Sequence, residues 1–555
     1  MRDHLKNNYR VYCLAFILFL QLAIFFPHVG TGFITDDFIW LDNVIDEGKL
    51  DLGKPFTVTT GFYRPLVSLS FGLQFLFHGI ESAPYGQLNL LLHLFNIIMV
   101  YLILNSFGPL KPYALLVAFL FAMNIKVNTM AVGWISGRTT LLYSCFSLLT
   151  FYLYKKWYQT SNLHKSRFLK IFFFFLFEIM YLAALLSKES ALIIPGGVLV
   201  FFVFIKDNLS RKPGLFVSAL KWQKMVTAFK SILIFIPPLL IYFILRLNSN
   251  AFTPFNAPDC YRFKMTLLVL IRNTWEYFTR AGLLDFIMVI GLLVLVVRRG
   301  KLKNPFEKSD LHLIAIGGLY FLFFLIPVLF LPVRSNIYVY FPQIGFHIAF
   351  AVLIVSLWRY WEFDKKKKKV KAIIFLLIII LLGSWSVFYL KKAVSYGKSG
   401  QCSTHFIQQV ADVVPRLKNK SHLVIIDLSQ SDYFSPATTV SYGLNFALKF
   451  FYFYPYKQLS GEIVFPEVLD RKNILNRRFV FFLWADSRLI GPFKSMELVR
   501  LFAFSLPPII NFPEIKPKQG KTTGKKISRL QKHRLGIQEL RRLKKKIKSS
   551  NQTRN

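Results

Sequence analysis

The sequence predicts an all-α polytopic membrane protein of about eleven transmembrane helices, with a small extracytoplasmic α/β domain and a basic tail at its C-terminal end. Three observations predict it. Of 555 residues, 54% are hydrophobic and only 17% are charged, whereas soluble domains carry roughly 25% charged residues. The apolar residues collect in runs of about 17 to 25, the length that crosses a hydrocarbon core of roughly 30 Å. Lys and Arg cluster in alternate loops between the runs, which is the pattern that sets membrane orientation.

The runs place spans at residues 11–27, 86–106, 112–126, 134–154, 169–187, 190–205, 230–247, 281–297, 311–331, 341–358 and 371–390. Arg2, Lys6 and Arg10 precede the first run. No small-x-small cleavage site follows it, so it is read as an uncleaved helix. With the N-terminus in the cytoplasm, four basic clusters fall inside: Lys155-Lys156 with Lys165 and Arg167, Arg211-Lys212 with Lys221 and Lys224, Arg298-Arg299 with Lys301 and Lys303, and Lys365 to Lys369. An odd span count then leaves the C-terminal part extracytoplasmic, and the expected location is a bacterial inner membrane. The domains are read as a membrane domain over 1–392, a soluble α/β domain over 393–514 and a flexible basic tail over 515–555.

Two outside segments differ from the spans. Residues 28–64 form a loop rich in acid: Asp36, Asp37, Asp42, Asp46, Glu47 and Asp51. The apolar stretch Leu66 to Phe77 is too short to cross and is placed in the interface. After the last span, Ile407, Val410, Val414 and Leu417 have helical spacing, and His422–Leu428 and Arg478–Trp484 read as strands. The net charge of +41 does not imply nucleic acid. Much of it is orienting charge, and the tail alone adds 15 basic residues against Glu539. That tail fits anionic lipid or an anionic envelope polymer, or else is simply solvated. Four cysteines without C-x-x-C spacing give no zinc or redox site. The lack of internal repeats weighs against a secondary transporter.

Six polar motifs fall on or near the outside face. Thr35-Asp36-Asp37-Phe38 follows the first span. It is either a solvated acidic face or a site where one carboxylate is a general base and the other orients the acceptor or holds a metal. Two neighbouring negative charges would raise one of the pKa values, as base catalysis near neutrality requires. Arg64, in Phe62-Tyr63-Arg64-Pro65, fits a phosphate fork or an interface anchor. Asn89, His93 and Asn96 share one helix face and fit interhelical hydrogen bonds or a substrate contact. Arg138, in Trp134-Ile-Ser-Gly-Arg138, and Lys188 are phosphate candidates, with Glu189 orienting Lys188. Arg334 is a further phosphate candidate, and Tyr338 and Tyr340 could pack on sugar or prenyl chain. Glu178 and Asp285 are acids within or near spans, with Arg246 a partner for Glu178. Paired carboxylates, cations and aromatic rings on one face are what transfer from a phosphate-linked lipid donor needs.

The order of Asp36-Asp37, Tyr63-Arg64-Pro65-Leu66 and His93-x-x-Asn96 resembles the C-type (GT-C) membrane glycosyltransferases. Trp134-Ile-x-Gly-Arg138, Ser187-Lys188-Glu189 and Tyr338-x-Tyr340-x-Pro342-x-x-Gly345 are most similar to the tetratricopeptide-bearing protein O-mannosyltransferases and their bacterial relatives. The resemblance covers residues 11–390. It implies an inverting glycosyltransferase that takes a monosaccharide from a polyprenyl-phosphate donor, with Asp36 as base and Asp37 beside it. It also implies phosphate contacts at Arg138, Lys188 and Arg334. Two departures stand out. No tetratricopeptide array follows the membrane region, which leaves a glycan, lipid or protein acceptor open. Where that group has Glu-Arg before the Tyr-x-Tyr motif, this chain has Asn336-Ile337. No cofactor is assigned from the motifs, and a divalent cation on Asp36 and Asp37 is compatible with them. The alternatives are an envelope polysaccharide polymerase, ligase or exporter, or an inactive scaffold with the same fold.

Overall fold

The computed structural model describes residues 2–46, 49–57, 61–162, 167–198, 232–249, 251–252, 257–283, 286–287, 290–291, 307–362, 387, 394–395, 397–410, 412–413, 421–427, 460–464, 479–485 and 487–493. The chain divides into two compact units, Met1–Gln401 and Cys402–Asn555.

The first unit is helical. Among the described residues its helices include α1 (Arg2–Phe25), α2 (Asp37–Asp42), α3 (Lys54–Thr57), α4 (Pro65–His78), α5 (Ser82–Asn105), α6 (Ala114–Met123), α7 (Ile125–Gly133), α8 (Arg138–Asn162), α9 (Arg167–Ser187), α10 (Ile236–Leu247), α11 (Leu267–Ala281), α12 (Lys308–Leu329) and α13 (Gln343–Glu362). Among the described residues, four helical stretches are long and apolar enough to cross a membrane: Asn8–His28, Ser82–Asn105, Arg167–Ser187 and Ser309–Leu329. The expected span at 371–390 and most of that at 281–297 lie outside the described residues, as do Asp285 and the basic tail.

One expected span is redrawn. The run at 112–126 does not form a single straight helix. Helix α6 stops at Met123, and α7 continues the chain after a 64° bend. Together the two are apolar and long enough for one broken span. A bend frees backbone carbonyls that lipid cannot satisfy, so side chains must do it. Asn128 Nδ2 donates to Phe121 O at 2.8 Å and Ala122 O at 2.9 Å. Gln343 of α13 locks the bend, accepting from Asn124 at 2.7 Å and donating to Asn128 at 3.3 Å. Helices α12 and α13 pack closely because small residues meet. A Cβ on Gly317 would lie 2.5 Å from Gly345 O, and one on Gly345 would lie 2.5 Å from Gly317 O.

At the end of α1 the chain enters the acidic segment, which is ordered by its own polar groups. Strands β1 (Ile45–Asp46) and β2 (Lys49–Leu50) pair antiparallel. Asp51 Oδ1 accepts from Gly53 N and Lys54 N at the start of α3. Helix α4 is a 14-residue apolar helix that starts at Pro65, where a missing N–H costs nothing. At the opposite end of the helical unit, buried Asp310 accepts from Tyr113, Ser356 and Arg359. That contact ties α6, α12 and α13 together.

The second unit contains a mixed four-stranded sheet in the order β4-β3-β5-β6, built from β3 (His422–Asp427), β4 (Ser460–Val464), β5 (Phe479–Ala485) and β6 (Arg488–Phe493). The first three strands are parallel, and β6 returns antiparallel to β5. Residues 402–410 are helical, and Phe406 packs on Trp484 at 5.2 Å between ring centroids. The expected helical positions 414 and 417 lie outside the described residues.

Candidate functional site

Thr35, immediately before the paired aspartates, has a φ of 46°. That left-handed conformation is costly for a β-branched residue and persists only where surroundings impose it. It turns the chain sharply into α2. The two carboxylates then part company. Asp37 is fully buried, and its oxygens are taken up by neighbours. Oδ2 accepts from Ile34 N at 2.8 Å, and Oδ1 accepts from Ser136 N at 2.7 Å and from the Ser136 hydroxyl. Trp40 Nε1 donates to Ser136 Oγ at 3.0 Å. Ser136 is thus the hub that fixes the loop to the turn before α8, and the sequence reading passed over it.

Asp36 is half-buried, and its backbone oxygen accepts from Ile39 and Trp40. Burial raises its pKa, and the charge of Arg64 partly offsets this. Asp37 is pushed up to about 7, first by burial, against the lowering effect of its hydrogen bonds. The mutual repulsion expected to raise one of the pair is a smaller contribution, acting on Asp37.

Arg64 stands at the N-terminus of α4, with its guanidinium 4.3 Å from the Phe62 ring centroid. It forks onto Glu189, with Nε–Oε2 at 3.0 Å and Nη2–Oε1 at 2.5 Å. Glu189 therefore grips Arg64 rather than the adjacent Lys188. Burial pushes the Glu189 carboxyl up, but the Arg64 charge and hydrogen bonds outweigh it and hold it at about 2. Lys188 is 4% exposed. Its ammonium donates to Thr140 Oγ1 at 2.8 Å and lies 5.2 Å from the Tyr338 ring centroid. Burial, then the charge of Arg64, lowers its pKa to about 7, while Glu189 opposes the shift. A crevice beside it is lined by Thr140, Tyr143, Ser190, Phe324, Tyr338 and Phe341, among others. Asp36, Arg64, Glu189, Lys188 and Tyr338 form one electrostatically linked group, with Arg64 at its centre.

The other candidates are engaged within the protein. Arg138 is fully buried. Its Nε donates to Asn89 Oδ1 at 3.0 Å and its Nη2 to Tyr85 O at 2.7 Å, and the guanidinium lies 4.5 Å from the Phe71 ring centroid. His93 lies between Tyr340 Oη (2.7 Å) and Gln21 Oε1 (3.3 Å), and Asn96 donates to Leu141 O. Arg334 forms an ion pair with Glu276, which also pairs with Arg280. Arg246 donates to Tyr242 Oη and Phe252 O rather than to Glu178, whose Oε1 has no partner among the described residues. No group of three or more His, Cys, Asp or Glu side chains placed to hold a metal occurs among the described residues.

No protein-family model matches the chain. It is 30% identical over 194 residues to protein O-mannosyl-transferase Tmtc1 of Drosophila melanogaster, covering 32% of this chain and 20% of that protein. It is 32% identical over 160 residues to protein O-mannosyl-transferase TMTC4 of Homo sapiens, covering 26% of this chain and 21% of that protein. The matches thus span about a fifth of these relatives' own length. Among solved structures, it is similar to the archaeal oligosaccharyltransferase AglB from Archaeoglobus fulgidus, in complex with an inhibitory peptide and a dolichol-phosphate. That likeness has 13% identity and a TM-score of 0.39, covering 77% of this chain and 63% of that one. The sequence likeness is to the same mannosyltransferase group that the motifs single out.

Proposed function

We propose that this chain is a glycosyltransferase that moves a monosaccharide from a polyprenyl-phosphate donor to an acceptor hydroxyl at the outer face of the membrane, inverting the anomeric centre. The observation that carries the reading is the grouping around Arg64. Arg64 acts electrostatically on both Asp36, whose partner Asp37 is occupied by Ser136 and Ile34, and the buried Lys188, which supports reading the two as parts of one site. Asp36 takes the acceptor proton as the new glycosidic bond forms at the anomeric carbon. The bond from that carbon to the phosphate oxygen breaks, and Lys188 meets the negative charge that develops on the departing lipid phosphate. Arg64 is held by Glu189 and flanks this path, and Tyr338 offers its ring to sugar or prenyl chain. Arg138, His93 and Tyr340 act as internal braces. Arg334 reaches phosphate only by exchanging Glu276 for it. The acceptor is a glycan, lipid or protein hydroxyl.

Two expected results test parts of this reading. The first concerns Lys188. A hydrogen bond to a charged group contributes roughly 1.5–3 kcal/mol, so Lys188→Ala weakens donor binding by about 10- to 150-fold and also slows turnover, because the charge developing on the leaving phosphate loses its cation. Because the Lys188 pKa is lowered to about 7, phosphate binding above that pH must return a proton to the amine. Wild-type donor affinity therefore falls as pH rises through about 7, and calorimetry in buffers of different ionisation enthalpy records proton uptake. A pH-independent donor affinity from pH 6 to 9 contradicts the assignment of Lys188.

The second is topological. The chain has an odd number of spans, and a reporter active only in the cytoplasm is silent when fused after Asn555. Strong reporter activity there overturns the outside placement of the site.

A further inference from the structure

Helix α11 does not fit a span or a soluble helix. It is 15 residues long, or about 22 Å at 1.5 Å per residue, short of the hydrocarbon thickness. Both ends are closed. Thr266 Oγ1 accepts from Val269 N, and Gly282 follows in the left-handed conformation at φ 113°. The helix is therefore a bounded element, not the start of the apolar stretch after it.

Its faces are sharply divided. Leu268 (76% exposed), Ile271 (59%) and Trp275 (59%) line one side at helical spacing, with Leu267 beside them and Phe263 and Met265 just before. Asn273, Tyr277 and Ala281 are buried on the opposite side. Asn273 donates to Leu329 O at 2.7 Å and Leu331 O at 2.9 Å, where the span-length helix α12 ends. Lys264 N donates to Phe330 O at the same place. The helix is thus pinned at the level where a span leaves the membrane. Arg272 is exposed on its flank and Arg262 and Lys264 are exposed in the segment just before it, with Arg262 pairing with Asp259 and Arg272 with Glu276.

We propose that α11 lies in the plane of the membrane interface on the site's side. Its Leu268–Ile271–Trp275 face rests on lipid acyl chains, and Arg262, Lys264 and Arg272 meet the lipid phosphates. A bounded amphipathic helix with a tryptophan on its apolar face and cations on its flank is the form such helices take, with the apolar face about 5–10 Å into the headgroup and acyl boundary. The same pinning brings α11 to the segment of Arg334 and Tyr338, through the ion pair to Glu276 and the contact of Tyr277 with Tyr338. The residues before it reach Arg64's neighbour as well, since Tyr261 packs on Phe62 at 4.8 Å. The proposal stands whatever reaction the site performs.

The test uses the full-length chain reconstituted in vesicles of phosphatidylcholine and phosphatidylglycerol. The fluorescence of Trp275 is taken as the difference between wild type and Trp275→Phe. Lipids brominated near the top of the acyl chain quench this signal more than lipids brominated near its end, and aqueous iodide quenches it little. In the Trp275→Phe background, Ile271→Trp behaves as Trp275 does, whereas Arg272→Trp is reached by iodide. Strong iodide quenching at positions 271 and 275 overturns the proposal by placing the face in water. Strongest quenching by the deepest bromines overturns it by placing the helix in the hydrocarbon core. Protection from every quencher overturns it by showing the face covered by protein.

Discussion

Asp36→Asn is expected to reduce turnover by about 10²- to 10⁴-fold, the usual contribution of a positioned general base, while donor binding changes little. The substitution keeps shape and removes only the proton acceptor, and Lys188 and Arg64 retain their charges. Asp37→Asn should act differently. Its amide cannot accept from Ile34 N and from both Ser136 donors at once without turning its NH₂ toward one of them. A buried donor facing a donor costs about 1–3 kcal/mol, so this variant lowers thermal stability and loosens the loop, and activity falls as a consequence. The measurement is release of free polyprenyl phosphate by purified wild type and both variants, alongside thermal denaturation of each. Wild-type activity also falls as pH drops through the Asp36 pKa, which burial sets above the ordinary carboxylate value, because the protonated acid cannot accept a proton. Asp36→Asn abolishes that acid limb. Normal turnover in both aspartate variants removes the proposed mechanism.

The second large effect is on the fold. Arg138→Ala leaves Asn89 Oδ1 without its donor, at about 1–3 kcal/mol for the buried acceptor, and removes the additional bond to the helical carbonyl of Tyr85. It also opens a cavity under Phe71 and Tyr85. Several kcal/mol of destabilisation follow, read as a lower denaturation temperature in detergent, with donor KM unchanged in the fraction that remains folded. Arg138→Lys keeps the charge but not the fork and recovers only part of the loss. A phosphate-binding arginine gives the reverse pattern, with stability retained and donor binding lost. The experiment therefore separates the brace seen in the structure from the role that the motif implies.

Which parts of the site were legible follows from how each residue type signals itself. Asp36, Arg64, Lys188 and Glu189 were visible because charge is scarce in so apolar a chain. Their pairing was not. Lys188 and Glu189 are adjacent, and adjacent side chains leave the backbone in different directions. The carboxylate meets Arg64, 125 residues away, instead. Ser136 carries no charge and went unnoticed, although its backbone N–H and hydroxyl both grip Asp37. The bend after Met123 was hidden because hydropathy is the same along a straight or a broken run. Asn124 and Asn128, one turn apart, were its only signal. The strands at His422 and Phe479 were plain from their unbroken apolar runs. Helix α11 was missed because windows tuned to spans pass over a 15-residue amphipathic stretch.

The Asp37–Ser136 clamp also has a consequence for how the protein is made. Its partners are 99 residues apart, and chains are synthesised at about 5–20 residues per second. The acidic loop is therefore complete some 5–20 s before the serine that holds it exists. Glu189 arrives later still, 125 residues after Arg64. During that interval the loop has neither its hub nor its central ion pair. The group is assembled in order of synthesis, first Asp36 and Arg64, then the Ser136 clamp, and last Lys188 and Glu189 together. A ribosome that stalls between residues 64 and 188 leaves an inserted chain with the carboxylates and Arg64 in place and neither Lys188 nor Glu189 to complete the group.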